Sequence, residues 1–192
     1  MHRLSGFLLC GLLGLTLTTA VLGADSGNSI VKRLFEKAAK DAVKRSTIPV
    51  YVPVSIRSLD AAAKDGCAFA HTERGGFEVA IYGSVTEYGK TEPLPCQANN
   101  AALLAAIHGE SKPMPDLSRD RYAQEVTLQS GAAGWFIPVS CGVSCAPATL
   151  YWQTDKASYW LQMTFRPRLS PAEQRKELLD TANSLVLVPR ER

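Results

Sequence analysis

Cysteine and histidine are the residue types here best suited to nucleophilic or metal chemistry. Cys141 and Cys145 lie four positions apart, one more than the Cys-x-x-Cys spacing of zinc sites and thiol oxidoreductases. His71 and His108 are too far apart to form the paired histidine motif of a zinc site. The sequence therefore favours no metal site, and we expect no cofactor.

Four of the five cysteines follow the N-terminal segment, and an even number in an exported chain predicts disulfides. They are Cys67, Cys96, Cys141 and Cys145. Three pairings are open, and proximity along the chain favours Cys67–Cys96 with Cys141–Cys145. A cysteine in a disulfide has no free thiol and therefore cannot act as a nucleophile.

Other catalytic signatures are missing from the sequence. It contains no Gly-x-Ser-x-Gly motif of serine hydrolases, no P-loop and no dinucleotide-binding glycine pattern. No spacing singles out a pair of carboxylates for glycoside hydrolysis. We therefore expect no catalytic residues and a protein that is not an enzyme.

Residues 1–24 have the layout of a secretory signal peptide. Arg3 supplies a positive start, Phe7 to Leu17 is almost purely apolar, and small residues precede Asp25. A membrane anchor needs roughly 20 apolar residues, and glycines and threonines interrupt this run. We expect cleavage after Ala24 and a periplasmic or secreted mature chain.

The remainder, residues 25–192, has the size of one domain. The whole chain holds 21 basic and 18 acidic residues, a balance that gives no reason to expect nucleic acid as a partner. No second apolar stretch approaches a transmembrane segment.

The N-terminal half predicts a mixture of helix and strand. Residues 29–45 carry an apolar stripe at helical spacing on a basic helix, and packing on a core is favoured over lying on a membrane. Two prolines make residues 48–54 an extended segment at a sheet edge. Glycines predict a turn over 66–75, and alternation predicts a strand over 77–81. Residues 98–108 are ambiguous: the alanines favour a helix, which we expect, while the flanking cysteine and Gly109 would suit a short strand.

The C-terminal half predicts strands followed by a helix. A strand through Val126 and Leu128 breaks at Gly131 and Gly134 and resumes at Trp135. Residues 149–153 and 158–165 form a hairpin signature. Ser170 and Glu173 predict the start of a helix whose stripe includes Leu178, Leu185 and Val186. We expect an α+β fold, an antiparallel sheet with an N-terminal and a C-terminal helix packed on it.

The hairpin carries four aromatic residues that strand alternation must divide between the two faces of the sheet. They are Tyr151, Trp152, Tyr159 and Trp160. If Trp152 faces the core, Tyr151 faces away, and Tyr159 and Trp160 divide likewise. We expect either coverage of the outward set by a helix or a contact surface for a ligand.

Residues 126–186 resemble the C-terminal half of a group of uncharacterised bacterial exported proteins, which is similar to the extracytoplasmic domain of some anti-sigma factors. The likeness is carried by Gly134-Trp135-Phe136, the Cys141-to-Cys145 loop, Trp152, Tyr159 and Ala182-Asn183-Ser184. This chain has Ser130 where that pattern has asparagine. The resemblance implies an envelope protein with an α+β fold and no catalytic residues.

Together these features favour an exported, non-catalytic binding domain whose partner is another envelope or secreted protein. Two alternatives stay open. The first is a periplasmic inhibitor or immunity protein that blocks a hydrolase, and the second is an enzyme with a free thiol or a metal.

Overall fold

A computed structural model describes residues 29–56, 58–59, 61–64, 66–83, 102–142, 144–165 and 169–190. The helices are α1 (Ile30–Arg45) and α2 (Pro171–Asn183). The strands are β1 (Tyr51–Pro53), β2 (Cys67–His71), β3 (Phe77–Gly83), β4 (Ala102–Glu110), β5 (Gln124–Thr127), β6 (Ala133–Ile137), β7 (Ser140–Cys141), β8 (Cys145–Ala146), β9 (Ala148–Gln153), β10 (Ser158–Met163) and β11 (Leu185–Leu187).

The main sheet has seven strands in the order β2-β3-β4-β10-β9-β6-β5, and every pairing within it is antiparallel. β1 with β11 and β7 with β8 form two small antiparallel ladders. The predicted α+β class with an antiparallel sheet is confirmed. The predicted hairpin is confirmed as well, with β9 and β10 paired from Ser158↔Gln153 to Met163↔Ala148.

Helix α1 forms where the apolar stripe predicts it. The Ser29 hydroxyl accepts a hydrogen bond from the Lys32 N–H at 3.3 Å, which caps the first turn. Val31, Phe35 and Ala42 are buried, and the helix contacts β1, β2 and β3. Burial of this apolar stripe, more than intrinsic helix propensity, stabilises a helix of this length.

Helix α2 begins with the predicted capping box. The Glu173 N–H donates to the Ser170 hydroxyl, and the Ser170 N–H donates to the Glu173 carboxylate at 2.8 Å. The Ser170 hydroxyl, which donates to the Glu173 carboxylate at 2.6 Å, and the Ser170 N–H together lower the pKa of Glu173. Further along, the buried Gln174 side chain accepts from the Val139 N–H at 3.0 Å and donates to the Leu169 carbonyl at 2.7 Å. The amide therefore ties the helix to the segment between β6 and β7.

The prediction that Leu185 and Val186 continue this helix is wrong. The helix ends at Asn183, and both residues lie in β11, where Val186 pairs with Val52. Alternating leucine and valine suit a strand as well as a helical stripe, and β1 supplies the backbone partner that decides between them. The extended segment predicted over residues 48–54 contains β1, which pairs with β11 in a separate two-stranded ladder.

Two further local predictions are wrong in the N-terminal half. Within 98–108, residues 102–108 belong to β4, which lies between β3 and β10, and residues 98–101 lie outside the described part. Hydrogen bonding on both sides overrides the helix propensity of alanine. Within 66–75, Cys67–His71 is strand β2, and the turn is confined to the residues around Arg74 and Gly75, which have φ of 50° and 83°.

One face of the main sheet carries the core. Aligned positions on β3, β4, β10, β9 and β6 fill it with apolar side chains. They are Val79, Ile107, Leu161, Leu150 and Phe136, each essentially inaccessible to solvent. Side chains at the intervening positions must therefore point to the opposite face, which we call the outer face.

Candidate functional site

A single cross-strand row of polar and aromatic side chains runs across the outer face of all seven strands. In strand order it consists of His71, Glu78, His108, Trp160, Tyr151, Trp135 and Glu125. Each residue is the direct register partner of the next. We call this set the outer row, and it is the candidate functional site.

The four aromatic residues of the hairpin divide between the two faces. Trp152 and Tyr159 are 5% and 1% exposed and stack in the core with ring centroids 5.6 Å apart. They cannot belong to a contact surface, because strand alternation turns both toward the core. Tyr151 and Trp160 belong to the outer row, are half-buried, and have ring centroids 6.2 Å apart.

Trp135 extends this aromatic surface onto a third strand. It is the register partner of Tyr151 and is also half-buried, while its neighbour Phe136 lies in the core. The alternation Gly134-Trp135-Phe136 is the signal for this placement. Its position beside the hairpin depends on the pairing of β6 with β9, which no local pattern specifies.

His108 is the third residue of the row, between Glu78 and Trp160, and is largely shielded from solvent. Its ring stacks on Trp160 with centroids 4.7 Å apart and planes 10° from parallel. Its Nδ1 is 3.9 Å from the Glu78 carboxylate, and among the described residues no hydrogen-bond partner meets its Nε2. Burial lowers the pKa of His108, while the Glu78 carboxylate and the Gln162 side chain oppose that shift. The ring therefore favours its neutral form.

A cavity of about 260 Å³ opens at the His71 end of the outer row. Its walls combine the stacked rings with both signs of charge. They include His71, Glu78, His108, Trp160, Arg74 and Lys112. His71 itself is exposed, with Nε2 3.9 Å from Glu73. Stacking surfaces with flanking charges can bind a partner by packing and by hydrogen bonding.

The cysteines lie apart from the outer row. Cys141 and Cys145 are bonded to each other across the β7–β8 hairpin, as predicted. Cys67 is disulfide-bonded, and its predicted partner Cys96 lies outside the described residues. Within the described ranges no three His, Cys, Asp or Glu side chains converge on a metal site. Likewise, no helix in that part of the chain is long and apolar enough to cross a membrane.

The chain matches no known protein family, no curated protein and no solved structure.

The buried neutral state of His108 predicts acid sensitivity. An unfolded histidine has a pKa near 6.5, and the folded value is lower, so stability is present above about pH 6.5 and is lost as pH falls. We expect the urea midpoint to drop more between about pH 7.5 and pH 5 in the wild type than in His108→Gln. The control is His71→Gln at an exposed position, and its urea midpoint should fall with pH as steeply as that of the wild type. A urea midpoint that falls equally steeply with pH in His108→Gln and in the wild type would contradict this prediction.

Proposed function

We propose that this protein is an exported, non-catalytic binding domain that holds another envelope or secreted protein on its outer face. The observation that carries the proposal is the aromatic part of the outer row. Trp135, Tyr151 and Trp160 stand side by side on three neighbouring strands, with part of each ring left to solvent.

The chemistry of these side chains supports a protein partner. Tyrosine and tryptophan are enriched at protein interfaces because each buries a large rigid ring and keeps a polar atom for hydrogen bonding. A sheet holds the rings in place before binding, which reduces the entropy lost on association. Glu125 is next to Trp135 in the row, and Glu78 lies beyond His108 on the other side, so the two carboxylates provide a polar rim.

Export is part of the proposal. The Cys141–Cys145 disulfide is compatible with an oxidising compartment, and the signal-like residues 1–24 are compatible with export. Intact mass of the protein from the cell envelope, with and without reductant, tests this. We expect a chain that begins at Asp25 and gains two hydrogens for each of two disulfides on reduction. A chain retaining residues 1–24 and free thiols would contradict export.

The binding role is tested with the double variant Tyr151→Ser/Trp160→Ser as bait in envelope extract. We expect a partner that the wild type retains to bind the double variant at least about tenfold more weakly, since interface aromatics commonly carry that much affinity. The matched control is Tyr122→Ser, which removes an aromatic ring that is 49% exposed and lies before β5. Circular dichroism checks the fold of each bait.

The outcome also separates the alternatives. A partner lost from the double variant but kept by Tyr122→Ser supports the proposed surface. If that partner is a single hydrolase, bound stoichiometrically and inhibited, the binding domain is an inhibitor. Equal capture by the double variant and the wild type would remove the outer row from the function.

A further inference from the structure

A second surface, on the opposite side of the fold from the outer row, has different chemistry. Helix α1 is strongly basic, with a net charge of +4. Its cations are Lys32, Arg33, Lys37, Lys40, Lys44 and Arg45, against two acids, Glu36 and Asp41. The net charge of the whole chain is only +3, so the remainder of the protein is close to neutral.

An apolar groove runs beside this helix. Its volume is about 660 Å³, within the range of small-molecule sites, and it lies between α1 and the β1–β11 ladder. Val43 and Val52 are buried at its base. Val186 and Leu187 line it and are 41% and 57% exposed. They are two of the three large hydrophobic side chains exposed in the described part of the chain.

The groove is bordered by cations that nearby acids do not neutralise. Lys40, Lys44 and Arg190 line it with a single acid, Glu36, which lies 3.8 Å from Lys32. Lys44 lies 3.4 Å from Asp41, but both side chains are well exposed, so water weakens that pair. The Arg190 guanidinium donates to the Ser46 carbonyl, which holds it in place without reducing its charge.

A second cavity of about 360 Å³ adjoins the groove at the same chain segment. The two share Val43 and residues 187–190 as walls. The apolar space therefore extends along both sides of the C-terminal segment, which gives it room for a chain-like ligand.

We propose that this groove binds a single-chain anionic amphiphile, a fatty carboxylate with its hydrocarbon chain against Val43, Val52 and Leu187. Its carboxylate lies between Lys40 and Lys44. The apolar walls remove the hydrocarbon from water, and the cations select the charge of the headgroup. A cationic or neutral amphiphile of the same length lacks the attraction between its headgroup and the lysines.

Isothermal titration of the purified protein with dodecanoate, below its micelle concentration, tests this. Dodecanoate should bind about tenfold tighter than dodecyltrimethylammonium. Lys40→Gln/Lys44→Gln should weaken dodecanoate binding about tenfold, and Leu187→Gln should weaken it as well. The matched control, Arg33→Gln/Lys37→Gln, removes the same charge from α1 outside the groove and should change affinity less than about twofold.

Three results would overturn the groove site. The first is no dodecanoate binding, or equal binding of the cationic probe. The second is an equal loss of dodecanoate affinity in Lys40→Gln/Lys44→Gln and in Arg33→Gln/Lys37→Gln, which would indicate general attraction to a basic helix. The third is flotation with phosphatidylglycerol vesicles without dodecanoate binding, which makes a membrane surface the partner.

Discussion

Replacing Gly134 with alanine is expected to lower the free energy of unfolding by about 3 kcal/mol, at the upper end of the usual cost of overpacking a core. A Cβ at this position would collide with the Tyr151 carbonyl oxygen on the neighbouring strand, and it would lie 3.3 Å from the Trp152 Cβ. The main obstacle is backbone, so no side-chain rotation relieves it.

Relief would require β6 and β9 to separate where Gly134 pairs with Trp152. β9 is also hydrogen-bonded to β10, and the Trp152 ring stacks on Tyr159, so the displacement would spread into the core. The glycine is required here by close approach of the two strands, and its φ is not in the left-handed region.

Gly142→Ala is the matched control, because a Cβ there meets no atom within 4 Å. We expect its stability to stay within about 0.5 kcal/mol of the wild type. Urea denaturation followed by far-ultraviolet circular dichroism measures both variants. If Gly134→Ala unfolds at the same urea concentration as Gly142→Ala, the close approach of β6 and β9 is incorrect.

The elements that the sequence predicts correctly are those whose signals are local. The capping box of Ser170 and Glu173 satisfies its own hydrogen bonds, and the 149–163 hairpin closes over a short turn at Thr154. The stripe of α1 needs only an apolar surface to pack on. Each of these patterns is decided within a few residues, so composition and spacing suffice.

The errors occur where a distant strand decides the structure. Residues 102–108 are alanine-rich and have helix propensity, yet β3 and β10 supply hydrogen-bond partners on both sides. Leu185 and Val186 change from helix to strand because β1 lies beside them, over a hundred residues earlier in the chain. Local propensity carries no information about these partners.

The candidate site shows the same division. Alternation within one hairpin predicts that one residue of each adjacent aromatic pair faces away from the core, and the structure places Tyr151 and Trp160 on the outer face. It cannot place His108 beside Trp160, since that requires β4 to be a strand and to pair with β10. The sequence therefore predicts that this hairpin turns aromatic residues to the outer face, and the sheet order adds Trp135 and the charged residues of the row.

Tyr159→Ala is expected to destabilise the protein by about 3–5 kcal/mol, the cost of emptying a large aromatic site in a core. Besides its stack on Trp152, the ring meets Tyr51 edge-on at 5.5 Å and lies 6.4 Å from Phe77, across the glycine at 109. Its hydroxyl donates to the Pro49 carbonyl at 3.2 Å. One side chain thus joins the main sheet to the segment leading into β1.

Tyr159→Phe separates the hydroxyl from the ring. The variant keeps the packing and leaves the Pro49 carbonyl unpaired, so we expect a loss of about 1 kcal/mol near neutral pH. Urea denaturation of the wild type and both variants measures these differences. A Tyr159→Ala cost no greater than that of Tyr159→Phe would contradict the role assigned to the ring.

The same pair of proteins predicts an alkaline effect with the same physical cause as the acid effect of His108, since burial favours the neutral form of both side chains. Burial raises the pKa of Tyr159, and Tyr51 and Asp155 add to the shift, so the folded state retains a proton that the unfolded chain releases near pH 10. The stability from this group is complete below about pH 10 and is lost as pH rises further. Tyr82 and Tyr151 also have raised pKa values, mainly through burial, so Tyr159→Phe should lose stability less steeply than the wild type between about pH 9 and pH 11 without becoming flat. Parallel curves for the two proteins would show that Tyr159 ionises as freely in the folded state as in the unfolded chain.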